Sequence, residues 1–261
     1  QIMKQILWFR RDLRVNDSAI LSFAKDEVLP IFIFDKNILD KLQEDDKRVT
    51  FIYKSVLKLK EDLKNLGLDL AVFYSTPKEV FEGFKNQGFD SVLCSVDFDD
   101  YAKKRDEEIA KIIPMQTFFD SFITHPNDCL KADKTPYKVF TPYYNNLKFI
   151  WNSYRLEEFE TNKNLKLIPF DFDSIPTLEN MGFIKQTLPD FLQKNPDELL
   201  KDFEQKIDNY KIDRDFFDKN ATSNLAVHLR FGLLSPRQIF NKIKVFKARN
   251  ENKEFFVREL F

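Results

Sequence analysis

A chain of 261 residues is long enough for one large domain or two small ones with a sizeable core. Its 41 basic and 42 acidic residues nearly balance, so the chain as a whole has no nucleic-acid signature and any DNA contact must be a local patch. Two cysteines, Cys94 and Cys129, and two histidines, His125 and His228, exclude a disulfide framework and a zinc cluster, so no metal site is expected. No signal peptide or membrane-length apolar run is present, which predicts a cytoplasmic protein without a membrane partner. The 29 phenylalanines predict an aromatic interior.

Ile6-Leu7-Trp8-Phe9 suits a strand buried on both faces, as in a parallel sheet. Its exit, Arg10 to Asp17, holds three arginines and two aspartates but none of the glycines that let a backbone approach a phosphate. The plain reading of such a run is a solvated loop with internal ion pairs. The functional reading rests on place, because open α/β sheets bind ligands beyond the carboxyl ends of their central strands.

A short helix over Asp17 to Lys25 and a strand over Leu29 to Phe34 follow. Val49, Ile52, Val56, Leu59, Leu63 and Leu66 then recur at helical spacing, with Asp46 as N-cap and Gly67 as stop. Leu70 to Tyr74 reads as the third strand. Thr76-Pro77-Lys78-Glu79 reads as a capping box with proline in the first turn, opening a helix that buries Val80, Phe81 and Phe84. Ser91 to Val96 is the fourth strand, with Cys94 as a core residue. Asp100 to Ile113 is an amphipathic helix and Met115 to Phe119 the fifth strand.

This alternation predicts an α/β fold: a parallel five-stranded doubly wound sheet, Rossmann-like or flavodoxin-like, over residues 1–121. Residues 122–194 lose periodicity but are too apolar for a disordered tail, and read as an ordered connector. Helix signals return at Asn195-Pro196-Asp197-Glu198, with Leu200, Phe203, Ile207 and Tyr210 on one face. They recur at Thr222-Ser223, in a helix that stops at Gly232, and at Ser235-Pro236-Arg237-Gln238, ahead of Ile239, Phe240, Ile243 and Phe246. Glu254 to Phe261 reads as the first turns of another helix, so 195–261 is the beginning of an all-α domain that continues beyond this chain.

Two candidate sites emerge. Arg10, Asp35, Arg48, Asp97 and Asp99 are expected to converge at the ends of strands one, two and four, although each alone is an ordinary solvated charge. Thr222 and Ser223 place two hydroxyls and unpaired backbone N–H groups at a helix start, which is an anion site or a simple cap.

The opening run Leu7-Trp8-Phe9-Arg10-Arg11-Asp12-Leu13-Arg14 with Asp17 resembles the start of the DNA photolyase/cryptochrome family. Arg105-Asp106, the run Lys134 to Tyr143, and Tyr210, Arg214-Asp215, Thr222-Ser223, Phe231-Gly232 and Ser235-Pro236-Arg237 match the same family in order and spacing. The resemblance spans the whole chain and about the first half of a typical member. It implies a light-driven DNA repair lyase acting on damaged DNA, in which excited reduced FAD gives an electron to a pyrimidine dimer and splits it. Tyr210, Thr222, Ser223, Asn224, Leu225 and Ala226 are implied to hold the FAD phosphates, and Glu259 to stand near flavin and lesion as the catalytic residue. Where relatives show Leu-Ser-Pro this chain has Leu225-Ala226-Val227, which removes one hydroxyl.

Arg10, Asp35, Arg48, Asp97 and Asp99 match positions that line an antenna pocket. Tyr101-Ala102 replaces the Asn-Glu pair of folate-carrying members, so a deazaflavin or flavin antenna is expected rather than folate. The flavin site is expected to be incomplete and the piece inactive by itself, with a monomeric parent. Trp8 and Trp151 are expected in core or interface rather than in electron transfer. A cryptochrome-type blue-light receptor is the alternative of the same fold. A flavin-free α/β nucleotide-binding module is the alternative of another class.

Overall fold

The N-terminal apolar run forms β1 (Lys4–Phe9), the middle strand of a parallel sheet. The structure, a computed structural model, describes residues 1–120, 157–205 and 226–245. The expected Pro-Tyr run, Trp151, Tyr210, Thr222, Ser223, Asn224, Leu225 and Glu259 lie outside these residues. The chain divides into two units, one of residues 1–120 and 159–188, the other of residues 121–158 and 189–261.

In the first unit, α1 (Ala19–Phe23), β2 (Glu27–Asp35), α2 (Lys36–Leu39), α3 (Lys47–Asn65), β3 (Ala71–Ser75), α4 (Pro77–Phe84), β4 (Ser91–Ser95), α5 (Asp100–Ala110) and β5 (Met115–Phe118) follow one another. The strand order is β3-β2-β1-β4-β5, and every pairing is parallel. This is the Rossmann order rather than the flavodoxin one, and it places the topological switch between β1 and β4.

Alternate residues of the strands face opposite layers of helices. Ile6, Trp8, Ile31, Ile33, Val92 and Cys94 pack with Val80, Phe81 and Phe84 of α4 and Ile109 of α5. On the other side Phe34 meets Tyr53 of α3, with ring centroids 5.9 Å apart. Each such side chain, once buried, contributes about 1.5–3 kcal/mol relative to exposure. Cys94 is fully buried, and burial pushes its thiol up to about 12, so it is a core residue. Trp8 is likewise core, its ring 4.9 Å from that of Phe81.

Helix ends follow local chemistry, with two departures from expectation. Leu66 caps α3 and is 46% exposed rather than buried. Gly67, at φ 78°, turns the chain so that its N–H reaches the Lys64 carbonyl while the Leu68 N–H reaches that of Leu63, and Leu68 takes the buried place. At α4, Thr76 caps the Glu79 N–H at 3.3 Å, but the Glu79 carboxylate accepts from Ser75 Oγ at 2.7 Å instead of closing the expected box.

A sixth strand comes from the stretch expected to be connector. β6 (Lys166–Leu167) pairs parallel with Glu27 and Val28 at the start of β2, while β3 pairs with Ile31 to Asp35 further along the same edge. Pro30, which has no N–H to give, sits in the interval between the two ladders.

In the second unit, α6 (Asp190–Gln193), α7 (Pro196–Glu204), α8 (Ala226–Arg230) and α9 (Pro236–Lys244) are described. Asn195 caps α7, and Ser235 with Gln238 forms the full capping box of α9. Leu200 and Phe203 of α7, and Ile239, Phe240 and Ile243 of α9, are buried, as their spacing predicts. Lys242 forms an ion pair with Asp197, tying α9 to α7.

Candidate functional site

Two loops meet at the switch point: the exit of β1, Arg10 to Ser18, and the exit of β4, Val96 to Asp99. The β1 exit is not a solvated loop, since Arg10, Asp12, Arg14 and Asp17 are all buried. Charges of that kind persist inside only when paired. The Asp12 carboxylate accepts from the Arg10 backbone N–H and from Ser95 Oγ, both at 2.9 Å, which fastens the loop to the end of β4. Arg14 reaches across to Asp120 beyond β5, donating to it and, at 2.7 Å, to the Asp17 carbonyl. Asp17 adopts a left-handed φ of 48°, and its carboxylate accepts the Phe159 N–H at 2.6 Å. The three charged residues therefore anchor β4, the end of β5 and the returning chain at residue 159.

Arg10 turns the other way. Its guanidinium donates to the Ser95 carbonyl, pairs with Asp106 at 2.5 Å, and stands 4.7 Å from the Trp8 ring. Arg105 of α5 covers the same ring at 5.0 Å, pairs with Asp106 at 3.0 Å and lies 3.7 Å from Asp97. Arg11 at the rim reaches Asp97 at 3.6 Å and Asp99 at 3.3 Å, and Asp99 also caps α5 through the Ala102 N–H at 2.7 Å. Phe98 stands beside them, half exposed. Two buried donors of this cluster, Arg10 Nε and Arg105 Nη2, have no hydrogen-bond partner. A buried donor left unmatched costs about 1–3 kcal/mol, and an acceptor oxygen of a bound molecule would relieve it.

Asp35 joins the group from the end of β2. Its carboxylate accepts from the Tyr101 hydroxyl and caps α2 through the Asn37 N–H at 2.9 Å. Burial, reinforced by that carboxylate, pushes Tyr101 up to about 12, so the hydroxyl keeps its proton. The Arg105 guanidinium lies 5.7 Å from the Tyr101 ring. The structure thus links Arg10, Asp35 and Asp97 through Arg105, Asp106 and Tyr101, and joins Asp99 to Asp97 through Arg11. Arg48 stands apart: its guanidinium clasps Asp46 at 2.6 Å across the start of α3 and bonds to none of the other four.

Arg105, Asp106 and Tyr101 were not in the expected site set. Their signal was present, because Tyr101 and Arg105 are four apart on α5 and share a face. Of the residues expected to hold FAD phosphates, only Ala226 is described, and it opens α8.

The fold and its charged crevice define a doubly wound α/β unit followed by a helical one. The sequence profile of the DNA photolyase family matches residues 5–161, and the chain belongs to that family. A deoxyribodipyrimidine photo-lyase of Alkalihalophilus pseudofirmus is 28% identical over 97% of this chain and 56% of its own length. A blue-light photoreceptor of Arabidopsis thaliana is 26% identical over 92% of this chain and 60% of its own. The crystal structure of an archaeal photolyase from Sulfolobus tokodaii, with two FAD molecules and an implied light-harvesting cofactor, superposes with a TM-score of 0.73 at 25% identity, over 99% of this chain and 57% of the other. The chain spans a little over half the length of these relatives. No described helix is long and apolar enough to cross a membrane, and among the described residues no acidic, histidine or cysteine cluster could hold a metal ion.

Proposed function

We propose that this chain is the N-terminal half of a light-driven DNA repair enzyme that splits pyrimidine dimers. The observation that carries this reading is the similarity to deoxyribodipyrimidine photo-lyase, which runs through both units and covers 97% of the chain. FAD, bound reduced and excited by light, supplies the electron for the splitting. The chain's own contribution is to bind and orient. In this reading Thr222, Ser223, Asn224, Leu225 and Ala226 would offer hydroxyls and backbone N–H groups to the pyrophosphate, Tyr210 would approach the same phosphates, and Glu259 would act near the flavin and the lesion. Damaged DNA is the partner and the parent acts as a monomer. The relative named as a blue-light photoreceptor favours one second reading, a light sensor without repair.

In the protein containing the whole helical domain, blue light is expected to restore the ultraviolet absorbance of a thymine-dimer oligonucleotide under reducing conditions. Bound FAD without repair would favour the sensor. Thr222→Ala with Ser223→Ala is expected to weaken FAD binding about tenfold or more, since a hydrogen bond to a charged group is worth about 1.5–3 kcal/mol. Lowered apo stability with unchanged flavin affinity would leave the pair as a cap only.

The crevice at the switch point fits an antenna chromophore whose ring oxygens take the two unmatched guanidinium donors, Arg10 Nε and Arg105 Nη2. A deazaflavin or flavin is proposed over folate because Tyr101-Ala102 stands where folate-carrying members have an Asn-Glu pair. Titrating FMN into the purified chain is expected to give saturable binding, weakened about tenfold or more by Asp97→Ala or Arg105→Gln. Arg48→Ala serves as the control outside the cluster. Binding indifferent to Asp97 and Arg105 would overturn this site.

A further inference from the structure

We infer that residues 165–175 form a detachable flap over the amino end of β2, latched by the buried lysine Lys60. The flap is fixed at both ends. Upstream, Asn162 bonds to the carbonyls of Leu21 and Ala24. Downstream, Leu178, Met181 and Phe183 are buried, and the Gln186 N–H reaches Thr50 Oγ1 at 3.0 Å. Between these anchors little holds it. Its ladder is three backbone bonds: the Lys166 N–H on the Asp26 carbonyl at 2.8 Å, the Ile168 N–H on the Val28 carbonyl at 2.9 Å and, from the parallel register, the Val28 N–H on the Lys166 carbonyl. Ile168 is its one buried apolar side chain, Phe172 packs partly buried against the same core, and Phe170 is 41% exposed. Few buried contacts and a short ladder are the marks of a segment that opens below the global unfolding limit.

The latch is built to release without leaving an orphan. Lys60 Nζ gives its three N–H groups to Asp69 Oδ1 at 2.7 Å, the Leu70 carbonyl at 2.9 Å and the Phe172 carbonyl at 2.6 Å. Only the last belongs to the flap. When the flap lifts, the ammonium keeps its carboxylate and one carbonyl, and water takes the third donor, so the buried charge is never unpaired. Phe170 lifts from Phe73 and Phe84, whose ring centroids are each 5.9 Å away.

Hydrogen exchange on the intact chain tests this. The Lys166 and Ile168 amides are expected to exchange at least about tenfold faster than those of β1 and β4, with a weaker dependence on denaturant, as a local opening requires. Lys60→Met is expected to speed those two amides a further tenfold or so beyond whatever change global destabilisation gives β1 and β4. Phe170→Ala, which leaves Lys60 intact, is expected to move the same amides in the same direction. If Lys166 and Ile168 exchange in step with β1 and β4 at every denaturant concentration, the flap is part of the global unit and the inference fails. It fails equally if the folded Lys60→Met and Phe170→Ala variants both leave the two amides unchanged.

Discussion

Asp120→Ala is expected to lower the stability of the chain by about 3–5 kcal/mol, the usual result of removing one partner from a buried ion pair. Arg14 and Asp120 are both buried, with side-chain exposures of 6% and 1%, so the remaining guanidinium could not recover its solvation. The same change strips the Ala19 N–H, near the start of α1, of an acceptor now 2.9 Å away. Domains of this size have about 5–15 kcal/mol in total, so the loss would be visible as a large fall in the urea midpoint. The double change Arg14→Met with Asp120→Leu is expected to be milder than either single removal, since neither member of the pair is left buried without the other. A single variant within about 0.5 kcal/mol of the parent would show that the pair is solvated and the loop is not the clamp described.

Asp12→Asn is expected to act in the opposite direction, stabilising the chain at neutral pH. Burial raises the Asp12 carboxyl above its ordinary value of 3.8, and the Asp120 charge raises it further, against the Arg10 N–H, Arg14 and Ser95, which favour the ionised form. A carboxyl raised on folding contributes stability that is fully present below its unfolded value and is lost as pH climbs through the folded one. Above that window the ionised Asp12 costs the fold about 1.4 kcal/mol for each unit of the rise. Asparagine keeps the shape, can accept the Arg10 N–H, and removes the charge. The expected result is a melting temperature higher by about 2–4 °C per kcal/mol at pH 7, with the difference shrinking toward pH 4. Equal or lower stability of the variant at neutral pH would mean that Arg14 outweighs burial at this site.

The two variants bear on how the Arg10 to Asp17 run is to be understood. Its composition announced ion pairs, and its place after β1 announced a ligand site. The structure divides these roles among neighbours. Asp12, Arg14 and Asp17 clamp the chain, while Arg10 turns to the crevice with Asp106 and Trp8, and Arg11 reaches Asp97 and Asp99 at its rim. No property of the individual residues separates them, because the division depends on which strand ends lie on each side of the loop.

What the sequence determined by itself was everything local. Apolar runs bounded by turn signals placed the five main strands, most plainly β1, β2 and β4, since a strand buried on both faces leaves a continuous apolar record. Three-four spacing placed the buried face of α3 from Val49 to Leu63. Asp46, Thr76, Asn195 and Ser235 were legible as caps because a cap is satisfied within three residues of itself. Tertiary structure decided whatever joins distant parts of the chain. The strand order separates Rossmann from flavodoxin topology, and identical β-α alternation permits either. β6 is two residues whose pairing with β2 no periodicity announces, lodged where Pro30 leaves a break in the edge. Arg48 looked equivalent to Arg10 and Asp97 as a charge near a strand end, yet Asp46, two residues away, captures it first. Arg105 and Asp106 join the crevice because α5 lies across the switch point, which brings its charges within 5 Å of the Trp8 ring and of Arg10. Electrostatic partners are chosen by distance in space, and that distance is set by packing rather than by any pattern along the chain.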